Sequence, residues 1–430
     1  MTRVLMAIYF YPRGGSAHAT RALVRELRRQ GVAVTLVSGS RSGRGDGTDA
    51  RQFYAGLDPV AVDFGPALRS PQPLRFRGGA GTAPIHGSFE DRPGAADAAL
   101  ASLDDEAFEL QVEAWTRALS AAARPDAVDV LYLHHLTPLN EAASRAFPDR
   151  PVVAHLHGTE LLMMERIAAG APPSWTDADA WMERLCRWAA ACARIVVANR
   201  RGRERAAALL GLERERFACI PSGVDPHFKP RPVDRGALWA HYVGVEPRGT
   251  VLLYVGRFTA VKRLPLLIEA FARAQDRSAA PVSLVLVGGH PGEWEGEHPL
   301  ATVERLGARD VFLAGWQPHA QLPEFLSAAD AVAHASSREQ FGQVLIEAMA
   351  CERPPIAVDT GGPASIVADG ETGWLVPPED PDALAAAILA AVEDPAERRR
   401  RGRNARAAVL ERYTWDRVAA RTAALLASVD

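Results

Sequence analysis

The stretch 331–350 reads AVAHASSREQFGQVLIEAMA and carries the densest signal in the chain. Its short apolar run at 331–333 predicts a buried strand, and the pattern after Gly342 predicts a helix. Glu339 lies on the loop between them, and Glu347 lies inside the predicted helix. A helix N-terminus suits a diphosphate because it presents unpaired amides and a positive dipole end, and a carboxylate further along can accept both hydroxyls of a ribose. The alternative is an ordinary amphipathic helix with surface glutamates.

Similar apolar runs alternate with helical patterns along the rest of the chain. Short runs rich in Val, Ile and Leu are typical of parallel strands that are covered on both faces. In the first half they lie at 4–10, 32–37, 128–133, 152–156 and 195–198. In the second half they lie at 251–255, 282–287, 311–313, 331–333, 355–358 and 374–376. We therefore predict an α/β protein with two doubly wound units, whose ligands bind at the carboxyl ends of the strands.

Proline density rises and periodicity fades at 226–249, which predicts the join between the units. We expect one Rossmann-like domain at 1–235, a second at 236–412, and a last helix at 413–430 that crosses back to the first domain. Segment 39–94 is rich in Gly, Pro, Arg and Asp, which predicts long mobile loops.

Composition excludes several classes of protein. A net charge of -3 over 430 residues provides no basic excess for a nucleic-acid partner. No stretch approaches the ~20 apolar residues of a spanning helix, so we expect a soluble protein without integral membrane association. The cysteines fit neither a disulfide ladder nor a CxxC metal pattern, and a reducing cytoplasm is the expected location. They are Cys186, Cys192, Cys219 and Cys351.

A second signal, VGRFTAVKR at 255–263, follows the strongest strand of the second half. Gly256 permits a tight turn there, and Arg257 and Lys262 can both face a ligand. Two such cations can neutralise the charge that builds on a departing diphosphate. Solvated surface charges are the alternative. Lysine occurs only at Lys229 and Lys262, and an ammonium is not interchangeable with a guanidinium, which favours a function for Lys262.

Glycines and histidines mark other strand ends. Gly14-Gly15 follows the first strand and Gly288-Gly289 follows the run at 282–287. Such pairs can let a backbone approach a phosphate, although a turn alone would also use them.

Four histidines lie near strand ends of the first half, at His134, His135, His155 and His157. His155 and His157 share a face of their strand and so resemble metal ligands. No third ligand at a suitable spacing completes a zinc site, so we expect no metal. His157 is instead predicted to hydrogen-bond a bound ligand, with His155 buried. His18 and His135 are weaker candidates on the acceptor side.

Together these motifs resemble family 4 of the retaining glycosyltransferases, which includes the mycothiol-pathway and sucrose-phosphate-synthase type enzymes. The resemblance covers nearly the whole chain, and the motifs occur in the family's order. They are Gly14-Gly15, HGTE at 157–160, IPSGVD at 220–225, then 257–262, 339–347 and DGETGWLV at 369–376. The implied architecture is the GT-B fold, in which two doubly wound Rossmann-like domains face each other across a cleft. The resemblance implies that the domain at 1–235 binds the acceptor and the domain at 236–412 binds the nucleotide-sugar donor.

The resemblance also implies roles for individual residues. Arg257 and Lys262 match the diphosphate-binding pair, Glu347 the ribose-binding glutamate, and Glu339 the glutamate that contacts donor-sugar hydroxyls. His157 matches a residue that contacts the sugar near the reacting carbon. The implied donor-binding set further includes Gly15, Gly256, Gly288, Gln340, Phe341, Gly342, Gln343, Val344 and Leu345.

The implied reaction is transfer of a hexose from a nucleoside-diphosphate sugar to a small-molecule acceptor, without a metal or another cofactor. The leaving phosphate oxygen would accept the proton of the acceptor on the face of attack, which gives retention without a protein nucleophile. A relative that couples a thiol, an amine or a pseudo-sugar remains open, as does a nucleotide-binding protein without transfer activity. A nicotinamide-dependent oxidoreductase is disfavoured, because no GxGxxG follows a strand with an acidic residue ~20 positions on.

Three positions depart from the family's pattern. Ser222 stands where asparagine is common, Glu352 where glycine is usual, and Ser365 where an acidic residue is frequent. The first two are expected to affect turns, and the third lies near the implied donor-sugar pocket.

Overall fold

The computed structural model describes residues 2–12, 14–91, 96–289 and 295–429. The chain divides into two compact units: unit 1 is Met1–Pro221 with Trp415–Asp430, and unit 2 is Ser222–Thr414. Each unit is built on one parallel sheet flanked by helices. This confirms the predicted α/β class with two Rossmann-like units.

Unit 1 contains a seven-stranded sheet with the order β3-β2-β1-β4-β5-β6-β7. Its strands are β1 (Arg3–Ile8), β2 (Ala33–Ser40), β3 (Val60–Asp63), β4 (Val130–His134), β5 (Val152–His155), β6 (Arg194–Val197) and β7 (Phe217–Cys219). The strand order reverses between β1 and β4, which lie side by side. Loops diverge at such a switch point, and ligands bind there in open α/β sheets.

Unit 2 contains a six-stranded sheet with the order β10-β9-β8-β11-β12-β13. Its strands are β8 (Thr250–Gly256), β9 (Val282–Gly288), β10 (Val311–Gly315), β11 (Ala331–His334), β12 (Pro355–Val358) and β13 (Trp374–Val376). The sequence predicted all six, and the switch point lies between β8 and β11.

The helices cover both faces of these sheets. They are α1 (Gly15–Arg29), α2 (Ala50–Phe53), α3 (Asp105–Ala122), α4 (Pro138–Ala146), α5 (Thr159–Ala168), α6 (Ala178–Ala191), α7 (Arg200–Leu210), α8 (Arg235–Val243), α9 (Leu264–Arg277), α10 (Pro299–Leu306), α11 (Leu322–Ala328), α12 (Gln343–Ala350), α13 (Pro363–Ile366), α14 (Pro381–Glu393), α15 (Pro395–Arg412) and α16 (Trp415–Ala427).

Alternation along β1 shows how the two faces are buried. Leu5 belongs to the core that contains Trp115 of α3, whereas Val4 and Met6 belong to the core that contains Val418 of α16. Successive side chains of a strand point to opposite faces, so a strand covered on both sides reads as a continuous apolar run. This is why the central strands were readable from the sequence.

Two edge strands of unit 1, β3 and β7, were missed by the sequence prediction. β3 falls within segment 39–94, which also contains α2 and the fully buried side chains of Tyr54 and Phe64. The expectation of long loops was therefore wrong for this part of the segment, whereas residues 92–94 lie outside the described residues. Short edge strands show little periodicity, and their pairing with β2 and β6 decides their conformation.

The division between the units falls at Pro221/Ser222, compared with the boundary at 235/236 that we expected from the sequence. Val224 and Phe228 pack into a core of unit 2, which places this segment with the second unit. The helix α8 occupies the middle of the stretch predicted as the join. At the other end of the chain, α16 packs on α1 within unit 1, where Gln30 Nε2 donates to the carbonyl of Asp416 at 2.8 Å.

Glu352 adopts a left-handed backbone conformation with φ +62° just after α12. Non-glycine residues are strained in this region because Cβ crowds the backbone. The geometry accounts for the glycine that the resembled family prefers at this position.

The structure also bears on the cysteines and on membrane association. All four cysteines are free thiols. Burial raises the pKa of Cys192 and of Cys351 to about 12, so neither thiol is activated. Among the described residues, we find no helix with the length and apolar character that crossing a membrane requires.

Candidate active site

In unit 2, the loops that follow β8 and β11 lie side by side because these strands are parallel neighbours. The hydroxyl of Ser336 donates to the carbonyl of Val261 at 3.0 Å, and the amide of Ser337 donates to the same carbonyl at 3.2 Å. Lys262 lies on the first loop and Glu339 on the second. Strand pairing thus joins two motifs that lie far apart in the sequence.

Lys262 and Glu339 form a mostly buried ion pair. Lys262 Nζ lies 2.6 Å from Glu339 Oε2, and each side chain is 18% exposed. His334, at the end of β11, is buried and places Nε2 3.4 Å from the same oxygen. Burial raises the pKa of the Glu339 carboxyl, but Lys262 and His334 lower that pKa by more, to well below its usual range. Glu339 is therefore an ionised hydrogen-bond acceptor at neutral pH.

Arg257 is the exposed cation of this site. It follows Gly256 at the end of β8, and its carbonyl accepts a hydrogen bond from the Tyr254 hydroxyl at 2.7 Å. Its guanidinium forms no ion pair with a carboxylate in the part of the chain that the structure describes. The side chain is thus available to an anionic ligand.

Gly256 and Gly288 are register partners at the ends of β8 and β9. A Cβ atom on Gly288, whose φ is +139°, would lie 1.8 Å from the carbonyl oxygen of Gly256. Sheet packing alone therefore requires glycine at 288. The predicted role of these glycines in donor binding stays a prediction.

The helix α12 begins after Gly342, whose φ of +98° is readily adopted by glycine. Gln343 Nε2 donates to the carbonyl of Gly223 at 3.0 Å, which ties the helix start to the segment after the unit boundary. The ring of Phe341 packs against Tyr413. Leu345 is fully buried in the core, so only backbone groups at this position can face a ligand.

Three residues complete the comparison of the implied donor set with the structure. Gln340 and Val344 are partly buried, on the loop and in the first turn of α12. Gly15 begins α1 in unit 1, after Gly14 with φ +71°, and a Cβ at either glycine would meet no atom within 4 Å. The backbone there is open to an approaching ligand.

Glu347 has a partner that the sequence did not suggest. Its carboxylate is 4% exposed, and Oε1 lies 2.8 Å from Nε2 of His319. His319 lies on a short turn after β10 and is 35% exposed. No motif spacing identifies this histidine, because the contact depends on how the turn packs against α12.

In unit 1, the histidines at the ends of β4 and β5 form one cluster. His134 Nδ1 lies 2.9 Å from His157 Nε2, and the rings of His155 and His157 stack with centroids 4.4 Å apart. The hydroxyl of Tyr132 lies 2.9 Å from His155 Nδ1. Burial lowers the pKa of His155 to about 4 and that of His157 well below its usual value, and the neighbouring histidines add to this effect. The cluster is uncharged at neutral pH.

The hydrogen bonds of the cluster define the tautomer of His157. The hydroxyl of Thr20 donates to the carbonyl of Ser16 at 2.8 Å, so its oxygen accepts from Nε2 of His134 at 3.2 Å. Because burial keeps His134 neutral, its Nδ1 accepts from Nε2–H of His157. Nδ1 of His157 is consequently a hydrogen-bond acceptor.

Three of these histidines also have the composition of a metal site. Ligand nitrogens of His134, His155 and His157 lie within 4.8 Å of one another. The sequence did not provide the third nitrogen because His134 comes from a neighbouring strand. Their rings stack side by side, whereas ligands of a tetrahedral metal converge on one point. The expectation of no metal stays a prediction.

The two residues proposed for the acceptor side differ in burial. His135 is buried with φ +69°, and its Nδ1 lies 2.9 Å from Oε1 of the fully buried Glu160. His18 lies on α1, where its ring packs on Phe53 and Arg21 Nη2 lies 3.3 Å from its Nδ1. His135 therefore supports the end of β4 from within, whereas His18 lies nearer the surface.

Comparisons with known proteins agree with the motifs. A family model described as glycosyl transferases group 1 matches residues 243–408. A second model, glycosyltransferase family 4, matches residues 99–228. Together the two models match a large part of each unit.

Curated relatives extend the match. A D-inositol 3-phosphate glycosyltransferase of Jonesia denitrificans is 30% identical over 70% of this chain and 71% of that protein. One of Segniliparus rotundus is 37% identical over 48% of this chain but only 45% of that protein's length. The match to the second relative thus spans about half of its length.

Solved structures share the fold. Anabaena HepE in complex with UDP superposes with a TM-score of 0.71 at 21% identity, covering 99% of this chain and 100% of that one. Sucrose-phosphate synthase from Thermosynechococcus elongatus gives 0.71 at 21% identity, covering 99% and 98%. These similarities confirm the predicted two-domain GT-B fold.

The buried pair of His135 and Glu160 predicts a pH-dependent stability difference. Burial raises the pKa of Glu160, but His135 lowers that pKa by more, to below its usual value. The ionised carboxylate therefore stabilises the protein above about pH 4.5, and this contribution is lost as pH falls through the lowered pKa. His135→Asn keeps a residue that tolerates positive φ and removes the partner, so we expect a loss of about 2–4 kcal/mol at pH 7.5.

Urea unfolding followed by tryptophan fluorescence measures this difference. The loss should shrink as the pH is lowered to 4, because the Glu160 carboxyl of the variant has no partner and so binds a proton in the folded chain at a higher pH than the wild-type carboxyl does. A loss of the same size at both pH values would contradict the assignment.

Proposed function

Because this chain belongs to the family 4 glycosyltransferases, we propose that it transfers a sugar from a nucleoside-diphosphate sugar to a small-molecule acceptor. The observation that carries the proposal is the ion pair between the loops after β8 and β11 of unit 2, where Lys262 and Glu339 are 2.6 Å apart. The exposed Arg257 lies on the same loop as Lys262. Two cations and an ionised acceptor suit a ligand that combines a diphosphate with sugar hydroxyls.

The names of similar proteins support the substrate classes. Several curated relatives are called D-inositol 3-phosphate glycosyltransferases, one structural neighbour is a sucrose-phosphate synthase, and another is in complex with UDP. Each name fits a small-molecule acceptor or a nucleoside-diphosphate donor. We extend these classes to this chain and leave the base, the sugar and the acceptor open.

In the proposed mechanism, donor binding exchanges the partners of the ion pair. Lys262 turns from Glu339 to the diphosphate, with Arg257 as the second cation and the amides at the start of α12 as additional donors. Glu339 keeps its charge beside His334, 3.4 Å away, and accepts hydroxyls of the donor sugar. These groups stabilise the charge that develops on the leaving diphosphate, so the proposed reaction requires no metal ion.

We further propose that transfer retains the anomeric configuration. A phosphate oxygen of the leaving group accepts the acceptor's proton on the face from which the acceptor attacks. The proposal assigns no nucleophile to the protein. The family resemblance implies that His157 contacts the sugar, and its Nδ1 can accept a hydrogen bond from a sugar hydroxyl because the imidazole is neutral.

Two alternative hypotheses remain for the same site. One is transfer to a thiol, amine or pseudo-sugar acceptor, and the other is nucleotide binding without transfer. The presence of both cations and both glutamates, Glu339 and Glu347, favours transfer over binding alone. The family matches decide against a nicotinamide-dependent oxidoreductase.

A thermal-shift panel followed by a transfer assay tests the function. We expect UDP, GDP or ADP, and the matching nucleotide sugars, to raise the melting temperature by several degrees at about 100 times their dissociation constant. Mass spectrometry should then detect release of the nucleoside diphosphate and an α-linked product from an α-linked donor. Stabilisation by NAD(P) alone would contradict the transferase proposal, and an inverted product would contradict retention.

Lys262→Ala should lower the turnover number about 10²–10³-fold, because a cation beside the leaving diphosphate is lost. Lys229→Ala is the matched control, since Lys229 is the only other lysine and is exposed. Turnover under saturating donor and the melting temperature of both variants are the measurements. Full activity of Lys262→Ala would remove this residue from the mechanism.

Treatment with a chelator should leave the transfer rate within about twofold of its starting value, because Arg257, Lys262 and the start of α12 supply the positive charge. The measurement is initial rate after EDTA and desalting, with and without added Mg²⁺ or Mn²⁺. Loss of transfer with EDTA and its recovery with a divalent ion would show that the metal-free mechanism is wrong.

A further inference from the structure

The contact between His319 and Glu347 is separate from the ion pair of Lys262 and Glu339, and the proposed mechanism gives His319 no role. Glu347 is almost completely buried in α12, and its carboxylate has no arginine or lysine within ion-pair distance among the residues that the structure describes. Burying an ionised carboxylate costs free energy unless hydrogen bonds or charges compensate for it. His319 supplies one such hydrogen bond at 2.8 Å.

We propose that His319 is a positioning residue for the nucleoside of the donor, which orients the Glu347 carboxylate toward the hydroxyls of a ribose. This inference rests on the proposed function, because it takes Glu347 as the group that binds the ribose. Nε2 of His319 lies 2.8 Å from Oε1 of Glu347, where its N–H can donate to the carboxylate. The proposal leaves Oε2 for the hydroxyls of the sugar. A carboxylate offers about four lone-pair sites, so one histidine leaves capacity for a diol.

The surroundings of His319 fix its ring. Its centroid lies 5.0 Å from that of Phe228 and 5.6 Å from that of His227, both in edge-to-face contact. His227 is in turn held by Asp225, with Nδ1 2.6 Å from Oδ1. Two parts of unit 2, the segment 225–228 and α12, therefore contact the histidine, and a side chain held in this way loses little freedom when a ligand binds.

The exposure of the two residues indicates the direction of approach. His319 is 35% exposed and Glu347 only 4%, so solvent reaches the pair from the side of the histidine. The start of α12, where the diphosphate is proposed to bind, lies one turn before Glu347. A ribose next to a diphosphate in that position would lie over the pair.

Binding measurements with ribose and deoxyribose nucleotides test the inference. Dissociation constants are measured by calorimetry for UDP, GDP and ADP and for their 2′-deoxy and 3′-deoxy counterparts, with wild type and His319→Ala. For the base that binds, we expect wild type to lose about tenfold in affinity when a ribose hydroxyl is removed, since one charge-assisted hydrogen bond is lost. His319→Ala should lower the affinity for the ribonucleotide about five- to tenfold and the affinity for each deoxynucleotide less than twofold.

Two further variants separate positioning from a structural role. His319→Gln keeps an N–H donor near Glu347 and should recover affinity to within about threefold of wild type. His241→Ala removes an exposed histidine of the same unit on α8 and should change nothing. If His319→Ala unfolds, the His319→Gln comparison and the deoxynucleotide losses of wild type decide the question.

The failures of the two proposals are distinguishable. An equal loss for ribonucleotides and deoxynucleotides in His319→Ala, or no loss, would overturn the role of His319 while leaving the glycosyltransferase proposal intact. Tight but equal binding of ribose and deoxyribose nucleotides by wild type would do the same. If wild type binds none of the nucleoside diphosphates, the proposed function and this inference both fall.

Discussion

The parallel pairing of β8 with β11 is the constraint on which the candidate donor site depends. Because these strands are neighbours in space but distant in the sequence, the loops at their carboxyl ends are brought side by side. The carbonyl of Val261 then binds both Ser336 and Ser337, and the ion pair of Lys262 and Glu339 can form. The sheet order therefore explains why two motifs that are distant in the sequence are in contact.

Three buried glutamates of the protein each lie next to a basic side chain. Glu339 lies between Lys262 and His334, Glu347 contacts His319, and Glu160 contacts His135. For Glu339 and Glu160, burial alone would raise the carboxyl pKa, and the partners lower it by more. The partners differ physically: the ammonium of a flexible lysine can turn to another anion, whereas a planar imidazole holds a carboxylate in a fixed orientation.

The histidines of unit 1 differ from these bases because their cluster is uncharged. Burial and their mutual proximity keep His134, His155 and His157 neutral, so their contribution is the direction of hydrogen bonds. A chain of hydrogen bonds that starts at the hydroxyl of Thr20 leaves an acceptor nitrogen on His157. Such a group can select a hydroxyl without adding charge to the site.

The sequence alone determined the α/β class, all the strands of the second sheet, and the family, because buried parallel strands are continuous apolar runs and the motifs recur in a fixed order. It also indicated Lys262, through the near absence of lysine, and the glutamates at 339 and 347. Only the tertiary structure decided the edge strands β3 and β7, the position of the unit boundary, and the partners His319, His334 and His134. A short edge strand and a histidine that contacts a distant carboxylate leave no periodic pattern, because both are defined by long-range packing rather than by their sequence neighbours.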